Sequence, residues 1–371
     1  MQLLTRQGWL IKQGANMQIS GLAPDHTGGL KTFMQAAKNI QISVVGCGMW
    51  GRNIARNCAS LGLLHSVVDR HKERAGEFAA SFSCQVLDFD AVCADKNIAG
   101  IMISASAAAH EALAITALQA GKHVFIEKPM ALSLAAAKNI NAAALENGRE
   151  VMVGHLIRYH PVFKELLRQV ENGAIGKLRH IQANRLAMGR IRNTESALFD
   201  LCPHDLSLIL ALTGCQPETV SCHGAAHITP GVADMLATGL GFANGITAGM
   251  NTSWLSPIKE HRLTVTGQSG SLVFDDTKPW SEKLTLFSDH ITQAGSLFVV
   301  ERASPNYLPV AEDEPLKQEV RAFAHTCETG MPALTNGAEG VAVQQVLEEM
   351  REVFEMTNHT GRADHIGHSG S

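Results

Sequence analysis

Between residues 40 and 155, short apolar runs alternate with helical patterns, and this alternation most limits the folds open to the chain. IQISVVG (40–46) and LLHSVVD (63–69) are typical of buried strands, and an amphipathic helical pattern follows each of them. Further strands are predicted in CQVLD, IAGIMISAS, KHVFIEKP and REVMVGH. Strands separated by helices of this length form right-handed crossovers, so the pattern predicts an α/β fold with a doubly wound parallel sheet.

After residue 155 the pattern changes, because strand-like runs now follow one another with few helices between them. The Asn-Gly of FANGITAG is typical of a tight hairpin between two such runs. We therefore expect an α+β domain with a large, open, mostly antiparallel sheet. Helices are predicted at 204–213, 314–329 and 337–357. With 371 residues, the chain is expected to form an N-terminal extension (1–38), a first domain (39–153) and a second domain (154–371).

The composition restricts the partners of the chain. A formal net charge of −4 provides no basic field, so a nucleic acid is not expected as a partner. No apolar run approaches the roughly 20 residues that a membrane helix needs, so we expect no membrane association. The eight cysteines form no C-x-x-C pair and suit small core positions, so we expect no metal site and a cytoplasmic location.

The segment VVGCGMWG places three glycines, Gly46, Gly48 and Gly51, directly between a predicted strand and a predicted helix. In this context the first glycine allows a tight turn, the second lets a pyrophosphate approach the backbone, and the third allows close helix packing. Asp69 ends the second strand, where a carboxylate can bind ribose hydroxyls and repels a 2′-phosphate. The pattern predicts a dinucleotide site that prefers NAD to NADP, although a guanidinium at Arg70 could pair with a phosphate.

Two further segments carry side chains suited to redox chemistry. VFIEKP places Lys128 at the end of a strand, near the expected nicotinamide; the alternative is a solvent-exposed lysine. In FDLCPHD, Asp200 and His204 are four residues apart on a predicted helix, so the carboxylate could orient an imidazole suited to proton transfer. The alternative is that Asp200 or Asp205 only caps the helix.

From about residue 40 to residue 358 the chain resembles the glucose–fructose oxidoreductase/inositol dehydrogenase family, Gfo/Idh/MocA. The resemblance is carried by VVGCGMWG, VVDRHKERA, AAAHEALAITALQAGKHVFIEKPMAL, GHLIRYHPVFKEL, DLCPHD and PLKQEVRAFAHTCETGMPALTNG. It implies a Rossmann domain followed by an open-sheet domain. It further implies that His204 accepts a proton, that Asp200 orients it, and that Lys128 holds or polarises the reacting oxygen.

The chain departs from the family pattern at two points. Many members have an aspartate three residues after the histidine, whereas this chain has Ser207 there and Asp205 beside the histidine. The threonine-proline pair found before the fourth helix in many relatives is missing from ISASAAAH, so the cofactor edge near Ser104 is expected to differ. The residues assigned to the cofactor are Gly46, Gly48, Met49, Trp50, Gly51, Asp69, Arg70, Ser104, His110, Glu127 and Lys128.

The loop G-x-W-G and the segments around HLIRYHP and GKLRHIQANRLAMGRIRN are similar to the branch that oxidises carbon 3 of UDP-N-acetylglucosamine or its uronic acid. That branch makes a 3-keto sugar for an aminotransferase in amino-sugar synthesis toward lipid A or O-antigen. Guanidinium groups suit phosphate oxygens, although arginines on a strand also face solvent or pair with acids. The residues assigned to the substrate are Lys128, Arg158, Tyr159, Arg185, Arg190, Arg192, Asp200 and His204.

Alternatives remain open at this point. Tyr159 could flank a sugar or pack at the domain junction. The chain could instead oxidise a free polyol or simple sugar, as in inositol oxidation, or be a non-catalytic NAD-binding regulator. Both Lys128 and His204 are retained, which argues against the regulator. Because open sheets of this family pack face to face, the resemblance also implies a homodimer or homotetramer.

Overall fold

The structure is a computed structural model and describes residues 40–189, 191–193 and 195–360, with side chains described to residue 357. Its first sheet has six parallel strands in the order β3-β2-β1-β4-β5-β6, which confirms the predicted doubly wound arrangement. The strands are β1 (Gln41–Val45), β2 (Leu64–Val68), β3 (Gln85–Val86), β4 (Ile98–Ile103), β5 (His123–Ile126) and β6 (Val151–Val153). The strand order reverses between β1 and β4, where ligands bind at the carboxyl ends of the strands in such sheets.

Five helices connect these strands and cover the sheet. They are α1 (Met49–Ser60), α2 (Lys72–Phe82), α3 (Phe89–Ala94), α4 (Ala107–Gln119) and α5 (Leu134–Glu146). The central strands β1, β4 and β5 are almost entirely buried, which explains their continuous apolar sequences. A short 3₁₀ helix (Leu156–Tyr159) then leads into α6 (Pro161–Glu171).

The second sheet has eight strands in the order β16-β13-β12-β11-β7-β10-β9-β8. It is antiparallel except where β7 pairs with β10, so the expected mostly antiparallel sheet is confirmed. Its strands are β7 (Leu178–Met188), β8 (Thr219–Ala225), β9 (Met235–Gly241), β10 (Thr247–Ser253), β11 (Leu255–Gly267), β12 (Ser271–Asp275), β13 (Leu284–Phe287) and β16 (Asn306–Tyr307). A separate ribbon of β14 (His290–Ala294) and β15 (Leu297–Glu301) was not predicted. A short 3₁₀ helix (Trp280–Glu282) precedes β13.

Helix α7 (Ala197–Thr213) packs on one face of this sheet and begins seven residues before the predicted start at residue 204. Its N-cap is Ser196, so neither Asp200 nor Asp205 caps the helix and that alternative is wrong. The sequence is misleading here because Pro203 lies inside the helix, whereas a proline usually marks a helix start or end.

The last two helices, α8 (Pro315–Thr329) and α9 (Gly337–Thr360), connect the two sheets. Although α8 lies in the segment assigned to the second domain, Leu316, Val320 and Phe323 pack into the core of the first sheet. Helix α9 contacts α5 on one side and α7 and β8 on the other. Helix α9 thereby links the helices and strands of the first half of the chain to α7 and the second sheet. Among the described residues, none of the helices combines the length with the apolar sequence that a membrane span requires.

Candidate active site

The glycine loop after β1 has a shape that only glycine permits. Gly46 has a φ of 101°, and a Cβ there would lie 2.7 Å from the backbone nitrogen of Ala105. A Cβ at Gly51 would lie 2.0 Å from the carbonyl oxygen of Gly46. Gly48 caps α1 without a side-chain hydrogen bond and faces open space. The first N–H groups of α1 are therefore available to an anion, as a dinucleotide pyrophosphate requires.

The ends of β2 and β4 hold this loop in place. Asp69 accepts hydrogen bonds from the backbone nitrogens of Cys47 (2.8 Å) and His71 (2.8 Å). The Ser104 hydroxyl donates to the carbonyl oxygen of Gly46 at 2.9 Å. A carboxylate at this strand end fits the ribose hydroxyls of NAD. Arg70 and Met49 are exposed beside the loop, and neither side chain makes a hydrogen bond or ion pair with the described residues, so their assignment to the cofactor stays a prediction.

Trp50 extends from the start of α1 to the end of β5. Its indole N–H donates to the Glu127 carboxylate, whose other oxygen accepts from the backbone nitrogen of Lys128 at 3.3 Å. Glu127 is buried, and this burial raises the pKa of its carboxyl to about 7. The glycine loop and the Glu-Lys-Pro turn thus lie side by side at the reversal point of the sheet.

Lys128 joins this turn to the second half of the chain. Its Nζ donates to the backbone oxygen of Asp200 at 2.6 Å and to Oδ1 of the same residue at 2.8 Å. Arg192 donates to the same Oδ1 at 3.1 Å. The ammonium group is therefore held at the junction of β5 and α7 rather than exposed alone to solvent.

His204 lies on α7 one turn after Asp200, and its Nδ1 is buried with no hydrogen-bond partner among the described residues. Burial, followed by the positive charges of Lys128, Arg185, His155 and His261, lowers the pKa of the His204 imidazole well below its usual value. The imidazole is therefore neutral and able to accept a proton at neutral pH.

One expectation about this pair is wrong. Asp200 does not orient His204, because its carboxylate is turned toward Lys128 and Arg192, and no hydrogen bond joins it to the imidazole in the described chain. A carboxylate gains more from two cationic donors than from a neutral imidazole, which accounts for the difference. Asp200 therefore positions Lys128.

Arg185 forms a buried, two-point ion pair with Asp205, with Nε–Oδ2 and Nη2–Oδ1 distances of 3.0 and 2.7 Å. Its partner in the β7–β11 register is His261. These two residues line both of two cavities, one of which extends to Asp200 and Trp254. His261 could not be identified from the sequence, because its neighbour across the sheet is known only once the strand register is known.

Two residues assigned to the substrate are engaged elsewhere. Tyr159 is fully buried, and its hydroxyl lies 3.0 Å from Thr335 Oγ1, so its assignment to the sugar is wrong and it packs at the domain junction. Arg158 donates to the backbone oxygen of Ser207 at 3.2 Å and is turned toward α7. Arg190 lies outside the described residues.

His110 is also misassigned, because it lies beneath the cofactor edge rather than on it. Its side chain is buried, and its ring nitrogens lie 3.0 Å from the Pro129 carbonyl oxygen and 3.1 Å from the Ala105 carbonyl oxygen. Burial lowers the pKa of His110, so its ring is neutral and its one N–H donates to one of these two carbonyl oxygens. His110 therefore packs beneath the turns after β4 and β5.

Comparison with known proteins gives matches in both halves of the chain. The GFO/IDH/MocA model, an oxidoreductase family with an NAD-binding Rossmann fold, matches residues 40–155, and the GFO/IDH/MocA C-terminal domain model matches residues 163–273. UDP-N-acetylglucosamine 3-dehydrogenase of Acidithiobacillus ferrooxidans is 30% identical over 85% of this chain and 98% of its own length. Its solved structure superimposes with a TM-score of 0.75 at 28% identity, with coverage of 85% and 98% of the two chains. Myo-inositol 2-dehydrogenase of Thermotoga maritima is 24% identical over 85% of this chain and 98% of its own length.

Proposed function

Because the chain belongs to the Gfo/Idh/MocA family of NAD-binding oxidoreductases, we propose that it oxidises the carbon-3 hydroxyl of a UDP-sugar, UDP-N-acetylglucosamine or its uronic acid. The product would be a 3-keto sugar, the substrate that an aminotransferase needs to make an amino sugar. NAD, when bound, accepts the hydride from carbon 3. The glycine loop fits its pyrophosphate, and Asp69 fits its adenosine ribose.

The residues beside the Glu-Lys-Pro turn carry the proton chemistry of this proposal. Lys128 holds the reacting oxygen and stabilises negative charge on it as its proton leaves. His204 takes that proton at Nε2, because Nδ1 is enclosed by the protein. The electron pair of the broken O–H bond forms the carbonyl as the hydride departs, so the sugar loses two hydrogens. Asp200 keeps the Lys128 ammonium in place.

The observation that carries the choice of substrate is the similarity to UDP-N-acetylglucosamine 3-dehydrogenase, which is 30% identical over 85% of this chain. Two guanidinium groups also lie beside Asp200: Arg192 donates to its Oδ1 at 3.1 Å, and Arg185 lines the same cavity. Guanidinium groups suit phosphate oxygens, which a neutral polyol lacks. A nucleotide sugar therefore suits this site better than inositol.

A free polyol is the second candidate, and the match to myo-inositol 2-dehydrogenase supports it. The two candidates differ in their need for arginine. We expect Arg190→Ala to raise the KM for UDP-N-acetylglucosamine by about 10- to 100-fold, the value of a charge-assisted hydrogen bond, and to leave any turnover of myo-inositol nearly unchanged. NADH absorbance and sugar mass report both reactions.

The matched control is Arg179→Ala, which removes an exposed arginine at the start of β7. It should leave the KM for both sugars unchanged. Turnover of myo-inositol together with no loss of two hydrogens from UDP-N-acetylglucosamine would reject the nucleotide sugar and favour the polyol.

A homodimer or homotetramer is also part of this proposal. On the face of the second sheet away from α7, Ala237, Thr247 and Asn251 are exposed. Small and polar side chains of this kind allow two sheets to approach face to face.

A further inference from the structure

Glu319, in the middle of α8, is the least expected buried group of the described chain. Its side chain is 0% exposed, and neither carboxyl oxygen has a hydrogen-bond partner among the described residues. An unpaired carboxylate without solvent is strongly disfavoured, so such a group remains uncharged. Burial, and after it the negative charge of Glu127, raises the pKa of Glu319 well above its usual value. An uncharged carboxyl carries one O–H donor that needs an acceptor.

The packing of α8 on β5 indicates which acceptor this is. The rings of Phe125 and Phe323 are in contact, with centroids 6.0 Å apart. Glu127 follows the end of β5, two residues after Phe125, and both side chains lie against Gly154, where a Cβ would be 3.0 Å from Glu127 Oε2 and 3.0 Å from Phe125 Cζ. Glu319 is one turn before Phe323 on the same face of α8. Helix α8 and strand β5 run antiparallel. This follows from Cys327, one turn after Phe323, which lies against Gly100 on neighbouring β4; a Cβ at Gly100 would meet Cys327 Sγ at 2.5 Å. One step beyond the phenylalanine pair, Glu319 therefore faces Glu127.

The surroundings of the two carboxyl groups contain few other charges. From its own turn Glu127 faces Lys128, and from α1 it faces the Trp50 indole. Glu319 also affects the hydroxyl of Tyr159 in the 3₁₀ helix after β6, a group that is uncharged at neutral pH. Gly154 leaves room for the pair, since a Cβ there would lie 3.0 Å from Oε2 of Glu127.

We propose that Glu319 is a positioning residue for the coenzyme site: its neutral carboxyl turns its O–H to the neighbouring Glu127 carboxylate, favours the ionised form of that carboxylate, and thereby fixes the Trp50 indole across the end of β5. This inference goes beyond the proposed substrate, because it concerns only the coenzyme side of the cleft. An ionised Glu127 gives Trp50 a charge-assisted hydrogen bond and places negative charge beside the Lys128 turn. Protonation of Glu127 would weaken that bond and free the indole.

The direction in which the Trp50–Glu127 hydrogen bond depends on pH follows from the protonation of Glu127. Glu127 is protonated at low pH and ionised at high pH, with a pKa of about 7. The fluorescence of Trp50 in the coenzyme-free protein should therefore change with a midpoint near that value. Subtracting the fluorescence curve of Trp50→Phe removes the signal of the other three tryptophans. Glu127→Gln should abolish the transition.

Two variants of Glu319 test the proposal. Glu319→Gln keeps a neutral donor, so the midpoint should stay within about 0.3 pH unit of the unmodified protein. Glu319→Leu removes the donor and should raise the midpoint by about one pH unit, because the Glu127 anion loses a hydrogen bond. The Kd for NAD, measured by titration, should follow the same midpoints.

Either of two results would overturn this role. A fall of the midpoint by about half a pH unit or more in Glu319→Gln would mean that Glu319 is charged and repels Glu127. An unchanged midpoint in a folded Glu319→Leu would mean that the two groups do not interact. Should the leucine variant fail to fold, the glutamine variant decides alone. Because no sugar is present, a failure here is distinct from a failure of the proposed substrate.

Discussion

Replacement of His204 by asparagine is expected to reduce turnover by about 10²- to 10⁴-fold, the usual contribution of a general base. The asparagine side chain cannot accept the hydroxyl proton, and no hydrogen bond at Nδ1 is lost with the imidazole, because Nδ1 has no partner among the described residues. The Kd for NAD should change by about twofold at most, because the glycine loop and Asp69 are untouched. Steady-state NADH formation and NAD titration measure the two quantities.

The pH dependence of kcat/KM and kcat in the unmodified protein also tests the role of His204. A base is active when deprotonated, so its lowered pKa moves the acid limb of kcat/KM below the usual range of histidine. An anionic substrate bound beside His204 favours the protonated imidazole, so the acid limb of kcat should lie at higher pH than that of kcat/KM. His223→Asn on exposed β8 is the matched control and should alter neither limb. Turnover retained in His204→Asn would remove the proposed base.

Lys128→Met is expected to reduce turnover by a similar factor, about 10²- to 10³-fold, because the reacting oxygen loses the cation that stabilises its negative charge. Methionine preserves the length of the side chain but has no ammonium. The fold should persist, since Arg192 still pairs with Asp200 and the carboxylate is not left without a partner. The measurement is kcat with saturating NAD, alongside thermal unfolding to confirm that the variant folds.

The control for this variant is Lys138→Met, which changes an exposed lysine on α5. It should have the turnover of the unmodified protein. A kcat for Lys128→Met equal to that of the control would show that the ammonium does not contact the reacting oxygen.

Features set by neighbouring residues were predictable from the sequence. The glycine loop, Asp69 and the Glu-Lys-Pro turn each follow a buried strand, and parallel strands bring their carboxyl ends to one edge. The tight contact of Gly51 with Gly46 has the same local origin. The fold class and the cofactor followed from these elements.

Features set by distant segments were not predictable. The orientation of Asp200 depends on Lys128, which lies 72 residues earlier, and the burial of Tyr159 depends on Thr335 in the connection between α8 and α9. The pairing of His261 with Arg185 and the complete burial of Glu319 arise only when sheets and helices pack. Side-chain roles in this site are therefore determined by partners from other elements, whereas the backbone that presents them is determined locally.

The most direct measurement uses UDP-N-acetylglucosamine carrying deuterium at carbon 3, incubated with the purified protein and NAD. If Lys128 and His204 act on that hydroxyl beside the nicotinamide, the reduced coenzyme will carry the deuterium and the sugar will become a 3-ketone. Reduced coenzyme without deuterium would contradict this assignment of the reacting carbon and of Lys128 and His204. The absence of reduced coenzyme while NAD binds normally would contradict it as well.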